Sequence, residues 1–258
     1  MSRPVIEQRR HLYLKAMGLT RWRRRGDPGI AAQNEPRGVA ESAAQAVTEA
    51  APYQADQVEE AVPLSRAGET AGLDWQALQQ KVKTCSSCGL RAGCTQTVFG
   101  VGNPQADLLV IGEAPGADED RQGEPFVGRA GQLLNAMLLA MGYQREAVFI
   151  ANIVKCRPPN NRDPQPEEAL CCEPYLLRQI ALIAPKIILA VGRISAQNLL
   201  KSDIAVGKLR GRIHRFGELN IPLVVTYHPA YLLRSPEQKG KAWQDLQLAL
   251  SVLRGDPG

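Results

Sequence analysis

Asp107-Leu108-Leu109-Val110-Ile111 runs straight into Gly112-Glu113-Ala114-Pro115-Gly116. A short, nearly unbroken apolar run, closed at once by a turn rich in Gly and Pro, reads as a buried strand opening into a loop. Three more runs have the same form: Val148-Phe149-Ile150, Lys186-Ile187-Ile188-Leu189-Ala190-Val191 and Leu223-Val224-Val225-Thr226. Helical patterns lie between and after them, over residues 130–141, 166–183, 194–201 and 237–253. This alternation predicts an α/β fold, with a central four-stranded parallel sheet flanked by helices on both faces. Ligands of such sheets bind beyond the carboxyl ends of the strands. The loops that follow the apolar runs are therefore the places to look for chemistry.

The rest of the chain divides by charge. Residues 1–26 carry a formal +7, residues 27–74 carry −7, and residues 75–258 carry +5. The first segment is a short basic tail of helical character. The second is rich in Ala, Glu, Pro and Gly and holds few large apolar side chains. It cannot offset the entropy of ordering, so a flexible, disordered extension is expected there. From residue 75 the composition becomes that of a folded domain. Trp75, Leu78 and Val82 have helical spacing, and residues 75–258 suffice for one core of ordinary size. No run of about eighteen apolar residues is present to span a membrane. The amino terminus lacks the apolar segment of a secretion signal, so a cytoplasmic protein is expected. A mildly basic domain suits a phosphate backbone as partner.

Six cysteines occur: Cys85, Cys88, Cys94, Cys156, Cys171 and Cys172. In a cytosolic protein such a set points to metal binding or chemistry rather than to disulfides. Cys85 and Cys88 form a CxxC, which fits two sulfurs to one metal or one cluster face. A second pair must come from elsewhere in the fold. Four thiolates serve a structural zinc or an iron–sulfur cluster, and spacing alone leaves both open. Zinc ribbons usually space both pairs as CxxC, whereas fifteen residues separate Cys156 from Cys172.

The Gly112–Gly116 pentapeptide by itself is an ordinary Pro-Gly turn. It continues, however, as Glu119-Asp120, Gly123 and Pro125-Phe126-Val127-Gly128-Arg129-Ala130-Gly131-Gln132-Leu133-Leu134. Downstream come Ala151-Asn152-Ile153-Val154-Lys155-Cys156-Arg157-Pro158-Pro159 and Tyr227-His228-Pro229-Ala230-Tyr231-Leu232-Leu233-Arg234. Together with the cysteines, these segments resemble the family 4 uracil-DNA glycosylases from about residue 75 to the end. The resemblance implies removal of uracil from DNA in base excision repair by a monofunctional enzyme, acting on single- or double-stranded substrate. It implies a [4Fe-4S] cluster on Cys85, Cys88, Cys156 and Cys172, leaving Cys94 and Cys171 as small buried residues. The expected protein is a nucleoid-associated monomer.

The same resemblance assigns roles around the loops. Phe126 would stack on uracil, His228 would contact its O2, and Gly112 and Ala114 would shape the base pocket, with Gln132 supporting them. Glu113 is expected to position or activate water and to stabilise an oxocarbenium-like sugar. Asn152 has a direct chemical rationale. One carboxamide meets both the N3–H donor and the O4 acceptor of uracil, whereas cytosine reverses that pattern and leaves polar groups unpaired. Thymine shares uracil's hydrogen-bonding edge and must be excluded at C5, with Glu119 the candidate. Arg129, Lys155, Arg157, Arg162 and Arg234 are expected to hold phosphates. Leu232 and Leu233 would wedge into the space that a flipped base leaves, or else belong to the core.

Two relatives fit less well. The uracil-trapping branch of the superfamily carries a Lys/Arg-rich loop with a His nucleophile, where this chain has Pro158-Pro159-Asn160-Asn161-Arg162. Family 5 lacks the acidic residue that Glu113 supplies. A reading from another class is a catalytically silent cluster protein that binds DNA or docks in the replisome. The tail bears on that reading. Leu14, Met17, Gly18, Leu19 and Trp22 resemble the amino-terminal segment of the polymerase III accessory subunit psi, so residues 1–26 are expected to bind a clamp-loader subunit or, as a basic arm, to add non-specific affinity for DNA.

Overall fold

The computed structural model describes Lys15, Gly18 and residues 66–255. The docking expectation for residues 1–26 and most of the 27–74 extension lie outside the described residues. The folded body begins earlier than residue 75. A helix spans Arg66–Ala71, with Thr70 buried and its hydroxyl donating to the Pro174 carbonyl at 3.2 Å. Asp74 then caps the Trp75–Lys83 helix by accepting from the Ala77 N–H at 2.8 Å. A carboxylate at this position satisfies a backbone donor that the first helical turn leaves free.

Six strands follow: β1 (Val101–Gly102), β2 (Leu108–Gly112), β3 (Phe149–Asn152), β4 (Ile187–Val191), β5 (Ile213–Phe216) and β6 (Ile221–Thr226). They form one sheet in the order β1-β3-β2-β4-β6-β5. The inner four, β3-β2-β4-β6, are mutually parallel, as the apolar runs predict. The sequence does not announce β1 and β5. Both are antiparallel edge strands, and they extend the expected sheet from four strands to six.

The sheet is covered on both sides, which is why its inner strands are apolar without alternation. Leu109 and Ile111 join the layer of Leu78, Val82, Tyr175 and Leu176. Leu108 and Val110 face the opposite layer, with Leu134, Met137, Leu138 and Leu246. Full burial of such a side chain stabilises by about 1.5–3 kcal/mol, so each inner strand is anchored from two directions. The helices Arg129–Met141 and Lys239–Arg254 supply the second layer, and Trp75–Lys83, Pro166–Ile183 and Arg193–Leu200 the first. Among the described residues no helix is long and apolar enough to cross a membrane.

Candidate functional site

The carboxyl ends of β2, β4 and β6 open on one side of the sheet. The chain moves from β2 to β3 on one flank and then to β4 on the other, so a crevice forms where the order reverses. A cavity of about 770 Å³ lies there. Its walls include Glu113 and Ala114 after β2, Gly192 and Arg193 after β4, and Tyr227 and His228 after β6. Phe126, Arg162 and Arg234 complete the lining relevant to the chemistry.

Asn152 ends β3 and pairs in register with Gly112 at the end of β2. It is 2% exposed, and its Oδ1 is buried without a hydrogen-bond partner. An unpaired buried acceptor costs about 1–3 kcal/mol, so this atom calls for an explanation. Gly112 makes the close approach possible. A Cβ there would stand 2.5 Å from Asn152 Oδ1 and 2.6 Å from the Phe126 ring. The absence of that one atom leaves the amide and the aromatic ring side by side.

Phe126 is held by its backbone. Its φ is 55°, a left-handed conformation unusual for an aromatic residue. Glu119 secures the loop with both carboxylate oxygens. Oε1 accepts from the Val127 and Gly128 N–H groups at 2.9 and 3.2 Å, and Oε2 accepts from Gly116 at 3.1 Å. Glu119 lines the cavity, but its oxygens are engaged in shaping the Phe126 loop. Underneath, a Cβ on Gly131 would lie 1.7 Å from the Phe126 carbonyl oxygen. Gly131→Ala is therefore expected to lower stability by about 1–3 kcal/mol, as overpacking does. The urea midpoint measures this, and an unchanged midpoint would show that the loop does not rest on Gly131.

His228 precedes the Pro229–Arg234 helix and caps it. Its Nδ1 accepts from the Ala230 N–H at 3.1 Å, so the neutral ring carries its proton on Nε2. Burial lowers its pKa to about 4, with the Arg234 charge acting in the same direction and Glu119 opposing. At neutral pH the site thus offers an uncharged N–H donor of fixed tautomer. The His228 and Phe126 rings lie 5.6 Å apart at 31°.

Glu113 behaves oppositely. Burial, followed by the charge of Asp163 and a hydrogen bond to it, raises its pKa to about 7, while Arg193 opposes the rise. Asp163, Arg193 and Tyr227 are site residues that sequence reasoning missed. They come from three separate parts of the chain, ahead of the Pro166–Ile183 helix, at the start of the Arg193–Leu200 helix and after β6, and nothing in their local sequence signals the meeting.

Several expectations need correction. Lys155 is 1% exposed and presents nothing to a phosphate. Its Nζ donates to the Asn152 carbonyl at 2.9 Å and to Gln179 Oε1 at 2.7 Å, so it is an internal strut behind Asn152. Burial lowers its pKa to about 8. Leu232 is fully buried and belongs to the core, whereas Leu233 is 37% exposed and remains available as a wedge. Gln132 is exposed on its helix and is not part of the cavity wall. Arg162 does line the cavity, but Glu168 also ties it by two hydrogen bonds at 2.8 and 2.6 Å. Arg129 and Arg234 are exposed, and Arg157 is half-buried and donates to Asn161 at 2.7 Å.

Behind Asn152 a second, small pocket gathers Cys85, Cys88, Cys156 and Cys172. Cys171 also lines it, contrary to the expectation of a bland buried residue. No disulfide joins any of the six cysteines. Backbone N–H groups approach two of the sulfurs: Ser87 to Cys85 at 3.5 Å and Lys155 to Cys172 at 3.3 Å. The Tyr175 hydroxyl donates to Cys85 Sγ at 3.3 Å. Burial pushes the Cys88 and Cys156 thiols up and Cys172 to about 12. Donors aimed at sulfur favour thiolates, and burial alone disfavours them. A cationic metal core reconciles the two, so the donor set fits one. Among the described residues no three His, Cys, Asp or Glu groups converge on the position of one ion.

Phe126 and His228 give the cavity an aromatic wall and a neutral imidazole donor, while Asn152 lies beside Phe126 and is not among the residues that line the cavity. The sequence profile of the uracil DNA glycosylase superfamily matches residues 99–247. The chain is 42% identical to a type-4 uracil-DNA glycosylase of Pyrobaculum aerophilum over 182 residues, covering 68% of this chain and 93% of the relative. A type-4 uracil-DNA glycosylase of Archaeoglobus fulgidus is 42% identical, covering 65% and 87%. One from Thermotoga maritima is 40% identical, covering 69% and 94%. The chain belongs to the uracil DNA glycosylase superfamily and to its type-4 family.

Proposed function

We propose that the protein flips uracil out of DNA and hydrolyses the bond between uracil N1 and the sugar C1′. The products are free uracil and an abasic site. The observation that carries this reading is the buried, unpartnered Oδ1 of Asn152 beside the Phe126 ring. Uracil N3–H answers that acceptor, and the amide nitrogen donates to O4. As the N1–C1′ bond breaks, its electron pair passes into the ring and charge collects on O2. His228 Nε2–H is the donor for that charge, and a neutral donor already in place needs no reorganisation. Glu113, when ionised, takes a proton from the water whose oxygen bonds to C1′. Arg129, Arg157, Arg162 and Arg234 remain as phosphate contacts, which position the strand without reading its sequence. Single-turnover cleavage of an oligonucleotide with one deoxyuridine tests the reading. Release of uracil is expected, and binding without cleavage would leave only a DNA-binding protein.

Cys85, Cys88, Cys156 and Cys172 would hold a [4Fe-4S] cluster. Its thiolate bonds would tie the 85–88 loop to the end of the Asn152 segment and to the Pro166–Ile183 helix. Four sulfurs spread around a pocket suit a body larger than one zinc, which needs them all at about 2.3 Å. Purified protein is expected to be brown and to contain iron. Iron content should fall on Cys172→Ser and persist on Cys94→Ser and Cys171→Ser. Stoichiometric zinc in anaerobically prepared protein would overturn the assignment.

A further inference from the structure

We propose that Lys155 is a positioning residue for base recognition: with Gln179 it fixes the peptide unit after Asn152, and so sets where the Asn152 carboxamide stands beside Phe126. This rests on the uracil-excision reading and extends it to two residues buried behind Asn152. The sheet opens there. β1 pairs with β3 with Val101 opposite Ile150 and Gly102 opposite Phe149. Two residues further along the same antiparallel register, Phe99 falls opposite Asn152. At that position side chains take the place of ladder bonds. Lys155 Nζ donates to the Asn152 carbonyl at 2.9 Å, and Gln179 Nε2 donates to the Phe99 carbonyl at 2.9 Å. The two side chains are joined, because Lys155 Nζ also donates to Gln179 Oε1 at 2.7 Å. An ammonium and an amide thus close the end of the ladder and answer two carbonyls in buried residues.

The peptide unit after Asn152 is gripped at both ends. Its carbonyl receives Lys155, and its N–H, that of Ile153, donates to the Gly112 carbonyl at 3.0 Å. A peptide unit held in this way fixes ψ of Asn152, and the side-chain rotamers open to a residue follow from its backbone angles. The carboxamide Oδ1 has no partner of its own, so its place is inherited from the main chain. Lys155 is fixed in its turn. Its N–H donates to Cys172 Sγ at 3.3 Å, and its carbonyl accepts from the Val98 N–H at 2.7 Å. Lys155 and Gln179 are 1% and 0% exposed. Burying an ammonium is unfavourable, and an apolar side chain would fill similar space without that penalty. What the ammonium adds is a pair of protons aimed at two acceptors.

Single-turnover excision from a deoxyuridine oligonucleotide, read through a double-mutant cycle, tests this. Lys155→Met removes the ammonium and keeps the main-chain N–H that reaches Cys172. It should lower the excision rate about 10²-fold, the effect of misplacing a reacting partner by about 1 Å. Iron content should match that of the parent. In an Asn152→Ala background the same substitution should lower the rate far less, because the carboxamide that Lys155 places is already gone. Gln179→Met breaks the strut at its other end and is read through the same cycle if Lys155→Met does not fold. Crystal structures of the parent and the variant follow the same placement without catalysis, and the carboxamide should leave its position beside the Phe126 ring. With an active parent, additive losses in the cycle, an unmoved carboxamide, or iron lost as in Cys172→Ser overturns this inference alone. A parent that releases no uracil overturns the proposed function instead, and the crystal structures then decide the inference by themselves.

Discussion

Replacing His228 by Ala is expected to slow single-turnover uracil excision about 10²–10³-fold, the usual effect of losing one preorganised donor to developing negative charge. Binding of uracil-containing DNA should change far less. The ground-state carbonyl at O2 needs little from the imidazole, whereas the departing ring needs much, so the loss falls on the chemical step. The ring's second nitrogen sharpens the expectation. Nδ1 is committed to the Ala230 amide at 3.1 Å, which leaves Nε2 as the only donor. A His228→Gln variant keeps an N–H in the region and should recover part of the rate. Equal rates for parent and His228→Ala protein would place the O2 contact elsewhere.

Asn152→Asp is expected to cost about 2–4 kcal/mol of transition-state stabilisation, or roughly 30- to 900-fold in kcat/KM. An ionised carboxylate accepts from N3–H but cannot donate to O4. At 2% exposure the charge is also poorly solvated, so the group is driven towards its protonated form. A protonated carboxyl offers the reverse pattern, donor to N3 and acceptor from N4, and slow excision of cytosine is expected to appear. Comparing kcat/KM on deoxyuridine and deoxycytidine oligonucleotides measures both changes. Unaltered selectivity would show that Asn152 does not read the base.

The fold was legible where burial is symmetrical. Strands covered on both faces must be apolar along their whole length, so β2, β3, β4 and β6 stand out as runs. The edge strands lack that signature. β1 is two residues long, and Ile213-His214-Arg215-Phe216 of β5 alternates between exposed and half-buried positions. Of the residues singled out from the sequence, His228 lines the cavity, and Asn152 and Gly112 lie beside Phe126, which also lines it. The site was not legible where the property arises only from convergence. The Glu113 environment needs Asp163 and Arg193 from distant parts of the chain. Lys155 misleads for a related reason. A lysine beside a cysteine motif reads as surface charge, and only the packed fold reveals the carbonyl and amide that receive its ammonium. Leu232 and Leu233 differ only in helical phase, which sequence proximity cannot resolve.

The Phe126 loop has a consequence for substrate ranking. Its left-handed residue and the three amides on Glu119 are held by the protein's own bonds. A receptor that is already folded around its target shape spends no entropy on arrival of the base. The work of capture then falls on the nucleic acid, as lost stacking and lost pairing. A uracil in a single strand has the least to lose, one opposite guanine somewhat more, and one opposite adenine the most. On the proposed reading, the order in which lesions are captured is written in the helix that holds them, and the protein serves each with the same rigid mould.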